Sequence, residues 1–406
     1  MLASMSAPLP SSTAPRSRHL AAIVIALGLA QIATWGSLYY SVAVLAGPMA
    51  EGLGVSRSLV FGAFSAALGA SGLASPWVGR AIDRLGGRRV LAGGSVLGAL
   101  ALAVLALAQG PVTLFAGWLL AGLAMAATLY DAAFPALSQV AGKAYRKALT
   151  ALTLFGGFAS TVYWPLAWSL ESTLGWRATL GVFAAILLLV VLPLFWFGLQ
   201  GAPVPAAPSA GPDTPAPQAD APAGPRFLWL CTAFAVSSFA ISAIGAHVVG
   251  ALGATRLPAA QAILAASLIG PAQVAGRVAE LAFARRLVPI RVGMLSFGAM
   301  LLAMLLLWAA GTAPWLAFAF ALLYGAANGA MTIVRGTVPA ELFGRDAYGS
   351  LMGRIARPAF FAKAAAPLAV ALLLANGNGY APMAPLLAAV VGVALAAYLM
   401  AVDGRR

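Results

Sequence analysis

The chain has 406 residues, of which 62% are hydrophobic and 8% charged, and its mean hydropathy is +0.93. That leaves too little polar surface to cover a water-soluble globule of this length, so the composition excludes a soluble protein and indicates a polytopic membrane protein. The formal charge of +14 is split among many short segments, which excludes a nucleic-acid surface and leaves anionic lipid headgroups as the partner of the excess.

Windows of about 20 apolar residues predict twelve spans. The first six are Leu20 to Leu45, Leu59 to Val78, Val90 to Ala108, Val112 to Ala136, Leu149 to Leu170 and Ala178 to Phe197. The first run, of about 26 residues, is too long for a cleaved signal peptide and is read as span one. A Pro/Ala-rich stretch from Gln200 to Pro225 with almost no charge follows, a slack tether with no fold of its own. Spans seven to twelve are Phe227 to Leu252, Ala259 to Ala284, Val292 to Ala310, Trp315 to Val338, Ile355 to Ala375 and Pro382 to Val402. Turn chemistry separates them, as at Gln109-Gly110-Pro111, Gly311-Thr312-Ala313-Pro314 and Asn376-Gly377-Asn378-Gly379. The expected organisation is a tail (1–19), a six-helix bundle (20–199), a linker (200–226), a second bundle (227–402) and a short tail (403–406). Cys231 is the single cysteine and lies in a span, so no disulfide framework exists.

Of the 24 Lys and Arg residues, 17 fall on the face that carries both termini, and only Arg57, Arg177 and Arg256 on the other. The first face is called basic below. The positive-inside rule places it, the termini and the linker in the cytoplasm, with the bacterial-type inner membrane as the expected location. The halves also repeat. Phe115-Ala116-x-x-Leu119-Leu120-x-Gly122 in span four recurs as Phe318-Ala319-x-x-Leu322-Leu323-x-Gly325 in span ten, and Asp131-x-x-x-Pro135 as Arg335-x-x-x-Pro339. A repeat of this kind suggests a binding site between the halves at mid-membrane.

Between spans two and three the chain reads Gly79-Arg80-Ala81-Ile82-Asp83-Arg84-Leu85-Gly86-Gly87-Arg88-Arg89. This loop resembles the G-x-x-x-D-R-x-G-R-R signature of major facilitator superfamily transporters. The resemblance implies an all-α membrane protein of twelve helices in two pseudo-symmetric six-helix bundles. It also implies that Gly79, Asp83, Arg84, Gly86 and Arg88 form a conformational latch and do not bind substrate. Within the superfamily the chain is most similar to bacterial monocarboxylate-porter and oxalate/formate-antiporter members, on Trp35-Gly36-x-x-Tyr39-Tyr40, Gly175-Trp176-Arg177, Gly276-Arg277 and Lys363. It departs from the family pattern after span eight, where Arg285 to Arg291 lacks the acid and glycine of a second signature. The proline-glycine pattern of drug antiporters is absent from span five.

A charge inside the membrane costs about 2.5–3.5 kcal/mol on insertion scales and persists only beside a cavity or partner. Within the predicted spans lie Asp131, Glu280, Arg277, Arg335, Arg357 and Lys363, a net positive set that suits an anion site. The resemblance implies that spans one, four, seven and ten line the cavity, with Asp131 and Arg335 on facing helices. Asp131 either exchanges a proton as it gains and loses that partner or forms a fixed ion pair with it. Arg277 either meets a substrate carboxylate, as its equivalent does in carboxylate porters, or pairs with Glu280 one turn along. Lys363 supplies a second positive contact, while Arg357 snorkels to the basic face. Trp35, Tyr39, Tyr40, Tyr130, Tyr163, Trp164, Asn328 and Thr332 either shape a small pocket or pack between helices, and His247 is either a relay or a packing residue.

No phosphate-cradling motif, metal cluster or soluble domain supports an enzyme, a cofactor or an ATP-driven pump. The reading is a secondary transporter, monomeric, working by alternating access. It moves a small organic or inorganic anion, monocarboxylate-like, coupled to a proton or driven by a counter-solute gradient. Efflux of toxic or amphipathic compounds is the alternative, and a non-transporting receptor or scaffold a remote one.

Overall fold

A backbone in hydrocarbon must satisfy its own hydrogen bonds, and within one segment only a helix does so. The computed structural model describes residues 17–200, 224–283, 288–343, 348–375 and 379–403. Arg16, the linker over 201–223, Arg285, Arg286, Arg345, the turn at Asn376 to Asn378, and Arg405 and Arg406 lie outside the described residues, as do the side chains of Arg18, Lys143 and Arg146.

Eleven helical stretches among the described residues are long and apolar enough to cross a bilayer: Leu20–Leu53, Arg57–Leu85, Gly87–Ala106, Pro111–Ala141, Lys147–Gly198, Pro225–Gly253, Ala259–Glu280, Pro289–Ala309, Leu316–Phe343, Arg354–Leu374 and Met383–Asp403. The 52 residues of Lys147–Gly198 would form a rod of about 78 Å at 1.5 Å per residue, more than twice the hydrocarbon thickness. The rod is broken at Gly175, where φ is 77° and ψ 164°, a conformation that glycine adopts without steric penalty. Divided there into spans five and six, the stretch brings the crossings to twelve. Arg177, two residues on, donates to the carbonyls of Ala106 and Ala108, each at 2.7 Å, and so caps the end of span three. Its guanidinium also lies 4.1 Å from the Trp176 ring centroid.

Several helices overrun the limits predicted from hydropathy. Span two continues to Leu85, so Gly79, Asp83 and Arg84 lie on helix and not in a loop. Gly79 does not interrupt the helix, which ends only at Gly86, where the chain turns at φ 81°, and long charged side chains at a helix end reach the interface. Span ten extends to Phe343 and span eleven begins at Tyr348. Other spans are interrupted. Span one contains a π-helical turn at Trp35–Tyr40, span four breaks at Leu129 where the backbone is extended, and span eight divides at Leu268 between Ala259–Ser267 and Ile269–Phe283.

The sequence repeat marks equivalent packing. A Cβ on Gly122 would strike the Ala67 carbonyl of span two, and one on Gly325 would strike the Ile269 carbonyl of span eight. Span four thus crosses span two as span ten crosses span eight, both through glycines that let backbones touch. The first half has its own buried core, including Leu27, Phe64, Trp118 and Phe183. The second half has two, around Met300, Phe320 and Leu387 and around Phe234, Phe297 and Tyr398.

The halves meet along spans two and eleven and along spans five and eight. Ser58 donates to the Ala371 carbonyl at 3.1 Å, and Leu368 N–H to Ser65 Oγ at 3.0 Å. Thr161 donates to the Ser267 carbonyl at 2.9 Å. His247, on span seven, lies with its ring centroid 4.0 Å from that of Phe61 and its Nε2 2.9 Å from the Pro367 carbonyl. These bonds lie toward the face opposite the basic one. On the basic side of Gly72, span two exposes Leu73 and Trp77.

Candidate functional site

Between the halves lies a cavity of about 240 Å³. All seven residues expected to contact substrate line it: Trp35, Tyr39, Tyr130, Arg277, Asn328, Arg335 and Lys363. Tyr40, Trp164 and Thr332 join them.

Three local features of the chain aim these side chains. The π-helical turn of span one closes with Ser41 N–H on the Gly36 carbonyl at 3.0 Å, and the wider turn presents Trp35, Tyr39 and Tyr40 together to the cavity, a use of π-bulges common at functional sites. Gly36 is required there, because a Cβ would enter the Tyr163 ring. In span four the break at Leu129 redirects Tyr130, and the Thr128 carbonyl beside it accepts from Gln31 Nε2 at 2.6 Å. In span eleven Pro367 has no N–H to give the Lys363 carbonyl, and Ser242 of span seven donates to that carbonyl at 2.8 Å. The backbone of Lys363 is thereby fixed to a neighbouring helix.

The three cations come from the second half. Lys363 Nζ lies 5.5 Å from the Trp35 ring centroid and 5.3 Å from that of Tyr39, within cation–π range. Arg277 is buried and donates through Nη1 to the Thr153 carbonyl of span five, across the interface. The Tyr130 hydroxyl approaches the same carbonyl at 3.5 Å. Arg335 donates to Ser238 Oγ at 3.1 Å and to Ser237 Oγ at 3.4 Å. Among the described residues no ion pair joins it to Asp131, so the expected bridge between facing helices is not the arrangement here. Asp131 is exposed, in the first turn after the break at Leu129, and lies outside the lining.

Four of the lining residues hold buried polar atoms with no partner among the described residues: Trp35 Nε1, Ser160 Oγ, Arg277 Nε and Arg335 Nε. Three of the four are pure donors. Orphaned buried donors are rare because each costs about 1–3 kcal/mol, and what they lack is an acceptor. The lining holds three cations and, among the described residues, no acid.

The sequence reading missed Gln273, Tyr324, Ser160, Ser238 and Ser242, which also line the cavity. Gln273 had a signal, an amide one turn before Arg277 in an otherwise apolar segment; the serines had none, since helix interiors hide a hydroxyl on the preceding carbonyl. Arg357 lies away from this site, in a separate groove between spans seven and eleven.

The latch residues sit on the basic face. Asp83 and Arg84 are exposed. The turn itself is tied to span four, with Gly87 N–H donating to Gln139 Oε1 at 3.0 Å and Gln139 Nε2 to the Ile82 carbonyl at 3.1 Å. Arg88 lies 4.1 Å from the Trp196 ring centroid of span six.

Two repeated six-helix halves around one mid-membrane cavity agree with a match of residues 23–356 to the profile of the Major Facilitator Superfamily. The chain belongs to the major facilitator superfamily. Solved members share this fold: the nucleoside transporter NupG superposes with a TM-score of 0.73 at 17% identity over 94% of this chain and 98% of that one. A bacterial homolog of the human lysosomal transporter Spinster, in an inward-facing and occupied conformation, superposes with a TM-score of 0.70 at 14% identity over 96% and 98%. A search of curated protein sequences finds no match. Superfamily membership makes the chain a multi-pass membrane transporter and not an enzyme.

Proposed function

We propose that this transporter carries a small anion, organic or inorganic, between the two halves by alternating access. The observation that carries the reading is the cavity lining: it holds Arg277, Arg335 and Lys363 and, among the described lining residues, no acid, and Nε of each arginine is buried without an acceptor. A carboxylate supplies acceptors to a guanidinium in bidentate geometry and to an ammonium alike. The likeness to monocarboxylate and oxalate/formate porters supports the same class. A bulky cationic amphipath, the efflux alternative, would meet three positive charges in a small cavity.

In this proposal the basic face is cytoplasmic, in a bacterial-type inner membrane, and the cavity is inward-facing. Asp131 couples a proton to transport, taking it up and releasing it as it loses and gains a basic partner between the two states. Asp83 and Arg84, exposed in the present state, act as the latch by pairing in the opposite one.

The test is the melting temperature of detergent-purified protein against carboxylates, inorganic oxyanions and hydrophobic cations across pH. An anion is expected to stabilise it, with the effect lost in Arg277→Ala. Stabilisation by cations alone sinks the proposal. In liposomes Asp131→Asn is expected to retain anion exchange and lose the dependence of uptake on an imposed pH gradient; uptake still driven by that gradient would remove Asp131 from the coupling role.

A further inference from the structure

The cavity is chemically divided along the line between the halves. Spans one, four and five supply aromatic rings, Trp35, Tyr39, Tyr40, Tyr130 and Trp164, and, among the described lining residues, no cation. Spans eight, ten and eleven supply all three cations of that lining and one further ring, Tyr324. We infer that the substrate is a planar, ring-bearing carboxylate bridging the halves, its ring on the aromatic wall and its carboxylate on the cations opposite. This rests on the anion reading above and narrows it.

The aromatic wall is one built surface. The Trp35 ring centroid lies 5.2 Å from that of Tyr39 and 5.3 Å from that of Tyr130, and the Tyr40 centroid lies 5.4 Å from that of Trp164. Ring pairs at these distances hold one another in edge or tilted geometry. Aromatic faces grouped in this way suit either a cation or another ring. A cation of the protein itself already lies there, because Lys363 Nζ is over the faces of Trp35 and Tyr39. A free cation would have to displace it against three like charges, which excludes the cationic ligand.

Lys363 therefore acts as a placeholder. An incoming carboxylate draws the ammonium off the rings, and the faces it leaves take the substrate's own ring. A carboxylate without a ring moves Lys363 but leaves the faces bare. A ring without a carboxylate must displace Lys363 with nothing to accept its charge. Only a ligand carrying both groups satisfies the two walls together, and only such a ligand ties one half to the other, which is the differential contact that drives closure.

The experiment is calorimetric titration of the full-length protein in detergent with benzoate, cyclohexanecarboxylate, acetate, sulfate and benzyl alcohol. Benzoate is expected to bind at least about tenfold more tightly than acetate, sulfate or benzyl alcohol, a difference of about 1.4 kcal/mol. It should also exceed cyclohexanecarboxylate, which has the same charge and no π face. In Lys363→Met the preference should change in kind, with benzoate weakened at least about tenfold and benzyl alcohol strengthened because the ring faces are free. Acetate or sulfate binding as tightly as benzoate overturns the inference and leaves the anion reading standing. Binding of none of the anions overturns both. Should Lys363→Met fail to give a monodisperse protein, Trp35→Leu is the second variant: benzoate should weaken and acetate should not, and equal weakening of the two overturns the ring assignment.

Discussion

Arg177 shows how far a residue's role departs from what its position in the sequence suggests. It was legible as one of three basic residues on the face opposite the basic one, and as part of Gly175-Trp176-Arg177. Its contact, the exposed end of span three, was not, because a sequence does not say where the carbonyls of Ala106 and Ala108 will lie. Two charge-assisted bonds to carbonyls that no helix satisfies should be worth about 1–3 kcal/mol. Arg177→Ala is expected to lower the melting temperature of the purified protein while leaving ligand affinity unchanged; an unaltered melting point would show that solvent caps span three equally well. Asp131 is the converse case. Its presence in a span was legible, but its surroundings in this state were not: Arg335 donates to Ser237 and Ser238, and no fixed ion pair joins it to Asp131 among the described residues. A helical repeat places residues on facing helices without fixing which rotamers meet.

The spans themselves were legible because hydrocarbon thickness sets their length, and their ends were not, because nothing in hydropathy stops a helix at the interface. Span two continued through Asp83 and Arg84 until Gly86. The interruptions at Leu129 and Leu268 were equally hidden, since neither residue disfavours helix and the break is imposed by packing. Proline left a clearer trace. Pro367, four residues after Lys363, deletes the bond to that residue's carbonyl and makes room for Ser242. Pro367→Ala should restore the helical bond, release Ser242 and let Lys363 shift from the rings, weakening benzoate binding by about three- to tenfold, on the order of 1 kcal/mol for one hydrogen bond. The π-helical turn is more demanding. Gly36→Ala places a methyl in the Tyr163 ring, and the expected result is a folded protein whose benzoate affinity is lost; titration with unchanged affinity would show that the turn does not position the aromatic wall.

At the scale of the whole molecule, the contact between spans two and eleven is local enough to be locked. Ser58 and Ala371 are joined on the face opposite the basic one, and the chain's single cysteine, Cys231, is elsewhere, on span seven. With Cys231→Ser as background, Ser58→Cys with Ala371→Cys should oxidise to a protein that still binds benzoate but catalyses no counterflow in liposomes until reduced. Full counterflow in the oxidised protein would mean that spans two and eleven do not separate during transport. The division of the cavity into a ring wall and a cation wall also has a consequence for the making of the protein. The first half, once synthesised, has no cavity-lining cation to shelter. The second holds Arg277 and Lys363, whose present partners, the Thr153 carbonyl and the rings of Trp35 and Tyr39, belong to the first. Translated as separate polypeptides, the halves should therefore differ in lifetime, the first persisting alone and the second being degraded by membrane proteases unless its counterpart is co-expressed.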